Sequence, residues 1–112
     1  MLKIISVLGS MLFSSAAAIA GETTMLSSWY GSYFHGRTTA NGEVYDMYSY
    51  TAAHKTLPFG TKLRACYKGC VDVRINDRGP YIGARELDLS YGAATAIGMT
   101  DVGVANLHIT FL

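Results

Sequence analysis

An excess of charge of one sign is absent from this sequence. Its 112 residues include nine Lys and Arg and eight Asp and Glu. Proteins that bind nucleic acid or an acidic membrane surface through their overall field carry a clear basic excess. The net charge therefore indicates neither of these partners, and binding has to depend on shape and on local groups.

A hydrophobic run long enough to cross a membrane is also absent. The first twenty residues have Lys3 near the start, an apolar stretch over 4–13 and the small-residue ending Ala18-Ile19-Ala20. The apolar stretch falls short of the roughly 20 residues that a membrane span needs. The order is typical of a secretory signal peptide, so we expect residues 1–20 to be removed after Ala20.

The remaining residues, 21–112, are enough for one domain and too few for two. Export would place this domain in the periplasm or outside the cell. No cysteine lies near the predicted cleavage point, so we expect no membrane anchor after cleavage. We expect the exported domain to be a monomer.

Cysteine is scarce, and its two occurrences, Cys66 and Cys70, join segments 61–67 and 70–76. Both segments alternate apolar and polar residues, which predicts a half-buried hairpin. If its loop has three residues with Gly69 in the left-handed conformation, the cysteines face each other and form a disulfide after export. A zinc site would need more ligands than three irregularly spaced histidines offer. We expect no metal and no cofactor.

Glycine and tyrosine are abundant instead, with 12 and 8 residues. This composition favours a turn-rich β protein, in which the tyrosines either stack on sugar rings or line the core. The predicted elements are strands over 25–30 and 104–112, short extended or helical pieces over 44–47 and 52–57, a helix over 90–97, and a long polar loop over 31–43.

Asp77 is the first candidate for chemistry. The alternation that buries Val71, Val73 and Ile75 would carry Asp77 to the same inward face as the strand ends. Desolvation there would raise the pKa of the carboxyl and keep a proton available for general acid catalysis. The alternative is an Asp that caps a turn or pairs with Arg78.

Three other residues have a functional and a structural interpretation each. Glu43 follows an Asn-Gly turn and His54 lies between alanines and a bend, so neither residue alone indicates a function. Together with Asp77 they provide an acid, a second carboxylate and a titratable orienting group, which glycosidic cleavage requires. Asp88 precedes the predicted helix, where the helix N-terminus lowers the pKa of a carboxyl. We interpret Asp88 as structural.

Several ordered segments, distributed over residues 28–90, together resemble the rare lipoprotein A family. They are Ser-Trp-Tyr-Gly at 28–31, Phe-His-Gly-Arg-Thr-Thr-Ala-Asn-Gly-Glu-Val-Tyr-Asp-Met at 34–47, Thr-Ala-Ala-His-Lys-Thr-Leu-Pro-Phe-Gly-Thr at 51–61, Val-Arg-Ile-Asn-Asp-Arg-Gly-Pro at 73–80 and Leu-Asp-Leu-Ser at 87–90. The resemblance implies a mainly β fold, a six-stranded double-psi β-barrel with one or two short helices.

The resemblance also implies a lytic transglycosylase that acts on peptidoglycan and prefers glycan strands lacking stem peptides. The family's functional Glu, His and Asp fall on Glu43, His54 and Asp77. Asp77 would protonate the oxygen between N-acetylmuramic acid and N-acetylglucosamine. It would then accept the proton of the muramoyl C6 hydroxyl as the C6 oxygen attacks C1. This gives a 1,6-anhydro product. Glu43 and His54 would position the sugar or tune Asp77.

Further residues are candidates for binding the substrate. Trp29, Tyr30 and Tyr33 would stack on sugar faces, and Arg78 would hold a sugar substituent or a carboxylate. Two other functions stay open. One is a non-catalytic, expansin-like module that binds or loosens the wall, and the other is a hydrolytic glycosidase that uses Asp77 with Glu43.

Overall fold

The computed structural model describes residues 21–112, and the predicted signal peptide over 1–20 lies outside them. The described chain has six strands and one short helix. In chain order these are β1 (Glu22–Tyr30), β2 (Thr51–His54), β3 (Lys62–Cys66), β4 (Cys70–Asp77), β5 (Leu87–Ser90), α1 (Tyr91–Ala96) and β6 (Ala105–Phe111). Within residues 21–112, no helix is long and apolar enough to cross a membrane.

The six strands form a closed barrel in the order β1-β5-β2-β4-β3-β6. The pairs β1–β5 and β2–β4 are parallel, and the other four pairs are antiparallel. A closed barrel has no unpaired strand edge. The predicted mainly β, six-stranded barrel with a short helix is confirmed.

The core fills the inside of this barrel because the strands alternate apolar and polar residues. Leu63, Ala65, Val73 and Ile75 of the β3–β4 hairpin are almost completely buried, while the residues between them reach solvent or the surface. Complete burial of a Leu or Ile side chain stabilises the fold by roughly 1.5–3 kcal/mol relative to exposure. The same alternation buries Leu107 and Ile109 in β6.

The β3–β4 hairpin has the predicted register. Cys66 pairs with Cys70 and forms a disulfide with it, with Cα atoms 4.1 Å apart. Because the two cysteines are bonded to each other, neither is available as a metal ligand. The expected left-handed Gly69 is wrong, since its φ is not positive. Gly69 instead allows a close approach to α1, because a Cβ there would lie 3.4 Å from the Ala96 carbonyl oxygen.

The second half of the chain contains a strand that the sequence did not predict. β5 has only four residues, with Leu87 and Leu89 fully buried, and it lies between β1 and β2 in the barrel. Ser90 ends this strand and begins α1, because its hydroxyl accepts a hydrogen bond from the Ala93 N–H. The predicted helix is confirmed, with Ser90 rather than Asp88 as its N-cap.

Candidate active site

A pocket of about 150 Å³ lies where the parallel strands β2 and β4 end. Its lining combines carboxyl groups, a guanidinium and aromatic rings. The lining residues are Tyr30, Phe34, Ala53, Asp77, Arg78, Gly79, Pro80, Tyr81 and Asp88. Carboxyl ends of parallel strands are common places for ligands, because loops from several strands meet there. We therefore take this pocket as the candidate active site.

Two shallower depressions lie on the outer face of the β3–β4 hairpin. They have volumes of about 410 and 230 Å³ and share Tyr50 and Asp72. Their carboxylate Asp72 is already paired with Arg64, with an Nε to Oδ1 distance of 2.7 Å. Neither depression brings two carboxyl groups together, so neither offers an acid and a base for bond cleavage.

Asp77 lines the pocket at the end of β4. One of its carboxyl oxygens accepts hydrogen bonds from the backbone N–H groups of Ala40 and Arg78, both at 2.9 Å. The other accepts one from the Tyr30 hydroxyl at 3.4 Å. Three donors thus fix the carboxyl group on both oxygens.

The orientation of Asp77 does not follow the simple alternation that the sequence predicted. The register between β2 and β4 shifts, so that Ala52 pairs with Ile75 and Ala53 pairs with Asp77. Asn76 is skipped and becomes buried beside Ile75, while Asp77 stays partly exposed. The expectation that Asp77 continues the inward face is wrong, because a register irregularity turns it towards the pocket instead.

Asp88 lines the same pocket from β5. Burial is the largest influence on this carboxyl and raises its pKa to about 6, and the charge of Asp77 acts in the same direction. A hydrogen bond donated by the Ser28 hydroxyl at 3.0 Å and the charge of Arg85 oppose the shift. The expected lowered pKa is wrong, because Asp88 lies within a strand and not at the helix N-terminus. Asp88, which we interpreted from the sequence as structural, is a titratable residue of the pocket.

Tyr30 lines the pocket together with the two carboxyl groups. Its ring stacks on Tyr45 with centroids 4.4 Å apart, and the Tyr45 hydroxyl donates to the Tyr30 carbonyl oxygen at 2.6 Å. Burial, followed by the charge of Asp77, strongly raises the pKa of the Tyr30 hydroxyl. Tyr30 therefore stays protonated and acts as a hydrogen-bond donor to Asp77.

Glu43 does not line the pocket but supports the loop that reaches it. Its carboxylate accepts two hydrogen bonds from Arg74, at 2.6 and 2.9 Å, and one each from the amides of Asn41 and Asn76. These bonds, that of Arg74 first, lower the pKa of Glu43 to about 2. With its oxygens occupied, Glu43 is a poor proton donor and holds the turn that presents the Ala40 N–H to Asp77.

His54 ends β2 next to the pocket-lining Ala53. Its Nδ1 accepts hydrogen bonds from the backbone N–H groups of Thr56 and Leu57, both at 3.1 Å. Burial is the main cause that lowers the pKa of His54. The imidazole is therefore neutral near pH 7 with its proton on Nε2, because Nδ1 is an acceptor. The His54 carbonyl also accepts a hydrogen bond from Arg78 at 3.2 Å.

The predicted aromatic contacts separate into two groups. Tyr30 lines the pocket, and the highly exposed Tyr33 packs edge-on against the pocket residue Phe34. Trp29 packs against Tyr91, and its indole N–H donates to the Thr100 carbonyl oxygen. Trp29 thus has a structural environment. Tyr81, which is 73% exposed at the pocket rim, was missed by the sequence interpretation.

A family profile described as lytic transglycolase matches residues 22–109. The chain belongs to the lytic transglycolase family. It is 51% identical over 100 residues to a probable endolytic peptidoglycan transglycosylase RlpA of Synechocystis, covering 87% of this chain and 31% of that protein. It is 53% identical over 87 residues to the endolytic peptidoglycan transglycosylase RlpA of Vibrio cholerae, covering 74% of this chain and 33% of that protein. The resemblance to rare lipoprotein A is confirmed, although the chain spans only about a third of these relatives.

Solved structures share the fold of this lytic transglycolase domain. The Streptomyces papain inhibitor superposes with a TM-score of 0.65 at 23% identity, covering 81% of this chain and 94% of the inhibitor. An expansin of Clavibacter michiganensis superposes with a TM-score of 0.65 at 22% identity, covering 81% of this chain and 50% of the expansin. At such low identities these likenesses show the double-psi barrel fold alone.

In this lytic transglycolase domain, the structure brings together Tyr30, Asp77 and Arg78 and adds Asp88 to them. Glu43 and His54 do not line the pocket. Glu43 bonds to Asn41, whose neighbour Ala40 donates to Asp77, and the His54 carbonyl oxygen accepts a hydrogen bond from Arg78. The signal for Asp88 was present in the sequence, because Leu-Asp-Leu-Ser belongs to the segments that resemble the family. Its burial was not visible there, since Asp88 lies between Ser28 of β1 and Ala53 of β2, which are distant in sequence.

Proposed function

We propose that this protein is an endolytic peptidoglycan lytic transglycosylase. It cleaves the bond between N-acetylmuramic acid and N-acetylglucosamine within glycan strands and leaves 1,6-anhydromuramoyl ends. The observation that carries the proposal is the pair of carboxyl groups in one pocket, Asp77 fixed by three donors and Asp88 with a pKa raised to about 6. Carboxyl groups with different environments can take different roles in one reaction. The names of the relatives support the same reaction.

The reaction needs a proton at the glycosidic oxygen, and Asp88 is the carboxyl suited to hold it near neutral pH. Protonated Asp88 donates to that oxygen as the bond to the muramoyl C1 breaks. The carboxylate of Asp77 stabilises the positive charge that develops on the sugar ring. The C6 hydroxyl then attacks C1 and gives its proton to Asp88, which restores the starting state without consuming water.

Glu43 and His54 enter this proposal as positioning residues. Glu43 holds the turn that presents the Ala40 N–H to Asp77, and neutral His54 holds the end of β2 beside the pocket. Tyr30 donates a hydrogen bond to Asp77, while Phe34, Tyr33 and Tyr81 offer rings at the rim for sugar stacking. The proposal places the protein outside the cytoplasm as an exported monomer, with residues 1–20 as its signal peptide and glycan strands lacking stem peptides as preferred substrate.

The deciding experiment is mass spectrometry of the products released from peptidoglycan glycan strands by residues 21–112. The matched variants are Asp88→Asn, Asp77→Asn and Asp101→Asn, the last at an exposed position outside the pocket. We expect anhydromuramoyl ends from the wild type and Asp101→Asn. Asp88→Asn should cleave the strands about 100-fold more slowly or worse, because a general acid usually contributes a rate factor of this size.

Other products would support other functions. Reducing ends in place of anhydro ends would indicate a hydrolase, in which a water replaces the C6 hydroxyl. Sedimentation with the wall without any new ends would indicate a non-catalytic, expansin-like module. If Asp88→Asn is active and Asp77→Asn is inactive, Asp77 and not Asp88 donates the proton.

A further inference from the structure

Arg78 is the one cationic side chain among the nine residues that line the pocket. Its guanidinium lies over the Phe59 ring, with Cζ 3.9 Å from the ring centroid. Its Nη1 donates to the His54 carbonyl oxygen at 3.2 Å and contacts the Asp77 carbonyl oxygen at 3.5 Å. Stacking and these bonds to one nitrogen hold the guanidinium in place and leave its other N–H groups for a ligand.

The charge of Arg78 is not neutralised by a carboxylate of residues 21–112, because Arg78 forms no ion pair with any of them. Arg64 and Arg74 differ in this respect, since each makes two hydrogen bonds to a carboxylate, Asp72 and Glu43 respectively. Arg78 thus keeps an unpaired charge beside the candidate catalytic carboxyl groups.

The pocket's own acids do not use this charge. The arginine that lowers the pKa of Asp88 is Arg85, and the side chain of Asp77 is bound by two backbone N–H groups and Tyr30. A fixed guanidinium with unused donors matches the planar oxygens of a carboxylate better than it matches a neutral hydroxyl. The geometry therefore favours a substrate that brings its own negative charge to the pocket.

Glycan strands of peptidoglycan carry such a charge at one position only. Their hydroxyl and acetamido groups are neutral, whereas the lactyl ether of N-acetylmuramic acid ends in a carboxylate when no stem peptide is attached. When a peptide is attached, the same carbon belongs to a neutral amide. We propose that Arg78 forms a carboxylate subsite that binds the free lactyl group of the muramoyl residue next to the cleaved bond. The inference rests on the proposed transglycosylase function.

Such a subsite would select stripped strands by charge and not only by size. A test must therefore remove the charge without adding bulk. The substrates are amidase-treated glycan strands with free lactyl carboxylates, and the same strands after carbodiimide coupling to ammonia, which turns each carboxylate into a primary amide. The proteins are the wild type, Arg78→Gln, Arg78→Lys and the control Arg64→Gln, each as residues 21–112.

We expect wild type and Arg64→Gln to have a kcat/KM about tenfold or more lower on the amidated strands, the size of a lost charge-assisted hydrogen bond. Arg78→Gln should cleave both substrates at similar, reduced rates. Arg78→Lys should keep part of the preference for strands with free carboxylates, because the lysine keeps the positive charge but lacks the planar pair of N–H donors. Equal wild-type rates on both substrates, or an undiminished preference in Arg78→Gln, would overturn the inference.

A binding measurement keeps this result separate from the proposed reaction. Titration of the same proteins with a muramic-acid-containing tetrasaccharide, free and amidated, gives the ratio of dissociation constants without any cleavage. If no protein cleaves either strand, the proposed function fails, while the ratio of dissociation constants still decides the role of Arg78. If Arg78→Gln does not fold, the wild-type ratio and Arg78→Lys still decide it.

Discussion

Asp77 and Asp88 lie in one pocket but have different neighbours. Asp77 receives three hydrogen bonds, two of them from backbone N–H groups that cannot move independently of the fold. Asp88 receives one, from Ser28, and burial is the largest influence on its pKa. An acidic group kept in a protonated form by burial lowers the stability of the folded state wherever the unfolded chain would ionise it.

This cost of the raised pKa can be measured. The pKa of Asp88 rises from 3.8 to about 6 on folding, so the folded state binds the proton more tightly than the unfolded state. Wild-type stability should therefore fall as pH rises from about 4 to about 6, and Asp88→Asn should avoid this loss. We expect the variant to be about 1–3 kcal/mol more stable at pH 7 and similar to the wild type near pH 4.

Urea unfolding at the two pH values, followed by circular dichroism, checks this expectation. The control is Asp101→Asn, whose side chain is exposed. A variant that is equally destabilised at both pH values would show that Asp88 supports the fold through its hydrogen bond and not through its proton.

Glu43 and Asp72 allow a comparison between two similar ion pairs. Each is held by two hydrogen bonds from an arginine, Arg74 or Arg64. Only Glu43 is connected to the pocket, through the turn that presents Ala40 to Asp77. Glu43→Gln should therefore reduce kcat at least about tenfold, whereas Asp72→Asn should leave it unchanged.

Stability should respond less than activity to the Glu43 change. The ion pair is about 40% exposed on both sides, so its loss should cost about 1 kcal/mol or less. The pKa of Glu43 is lowered to about 2, so its contribution is present above pH 4.5 and is lost as pH falls towards 2. Equal activities of Glu43→Gln and Asp72→Asn would contradict the positioning role of Glu43.

At the scale of elements, sequence patterns predicted the structures that depend on residues close together in the chain. The alternation of 61–67 and 70–76 predicted the β3–β4 hairpin and the facing cysteines, because a hairpin is a local structure. It failed at Asp77, where the parallel partner β2 shifts the register. It also missed β5, since four residues give too short a pattern. The pKa of Asp88 was out of reach for the same reason, because its burial comes from strands distant in sequence.

Helix α1 contains a glycine whose role lies in packing. A Cβ at Gly92 would lie 2.5 Å from the Tyr48 carbonyl oxygen and 2.8 Å from its carbon. Alanine is the better helix former by about 1 kcal/mol, but the backbone of the 31–50 region leaves no room for it. We expect Gly92→Ala to be destabilising by about 1–3 kcal/mol, as overpacked cores are.

Thermal unfolding checks this prediction against Thr95→Ala, an exposed position of the same helix. Thr95→Ala should change the stability by a few tenths of a kcal/mol, in the stabilising direction. A Gly92→Ala variant that unfolds at or above the wild-type temperature would mean that the loop before β2 yields easily, and that α1 and this loop are only loosely coupled.

At the scale of the whole molecule, the pocket depends on barrel closure. Its residues come from β1, β2, β4, β5 and the loops after them, and strands far apart in sequence are neighbours in the barrel. β6 completes this closure because it pairs with β1 on one side and β3 on the other. Without β6 the remaining sheet would have two open edges, which expose unpaired backbone groups.

A chain that ends after residue 104 should therefore lose the fold and not only the last strand. β6 also contributes the fully buried Leu107 and Ile109 to the core, and the loss of two such side chains alone exceeds about 3 kcal/mol. We expect this chain to show no cooperative urea transition and no cleavage of glycan strands. The control lacks Leu112 only, which removes one backbone hydrogen bond to Lys62, and it should unfold close to the wild type. A cooperative transition in the shortened chain would contradict this expectation, because it would show that the five remaining strands fold without closure of the barrel.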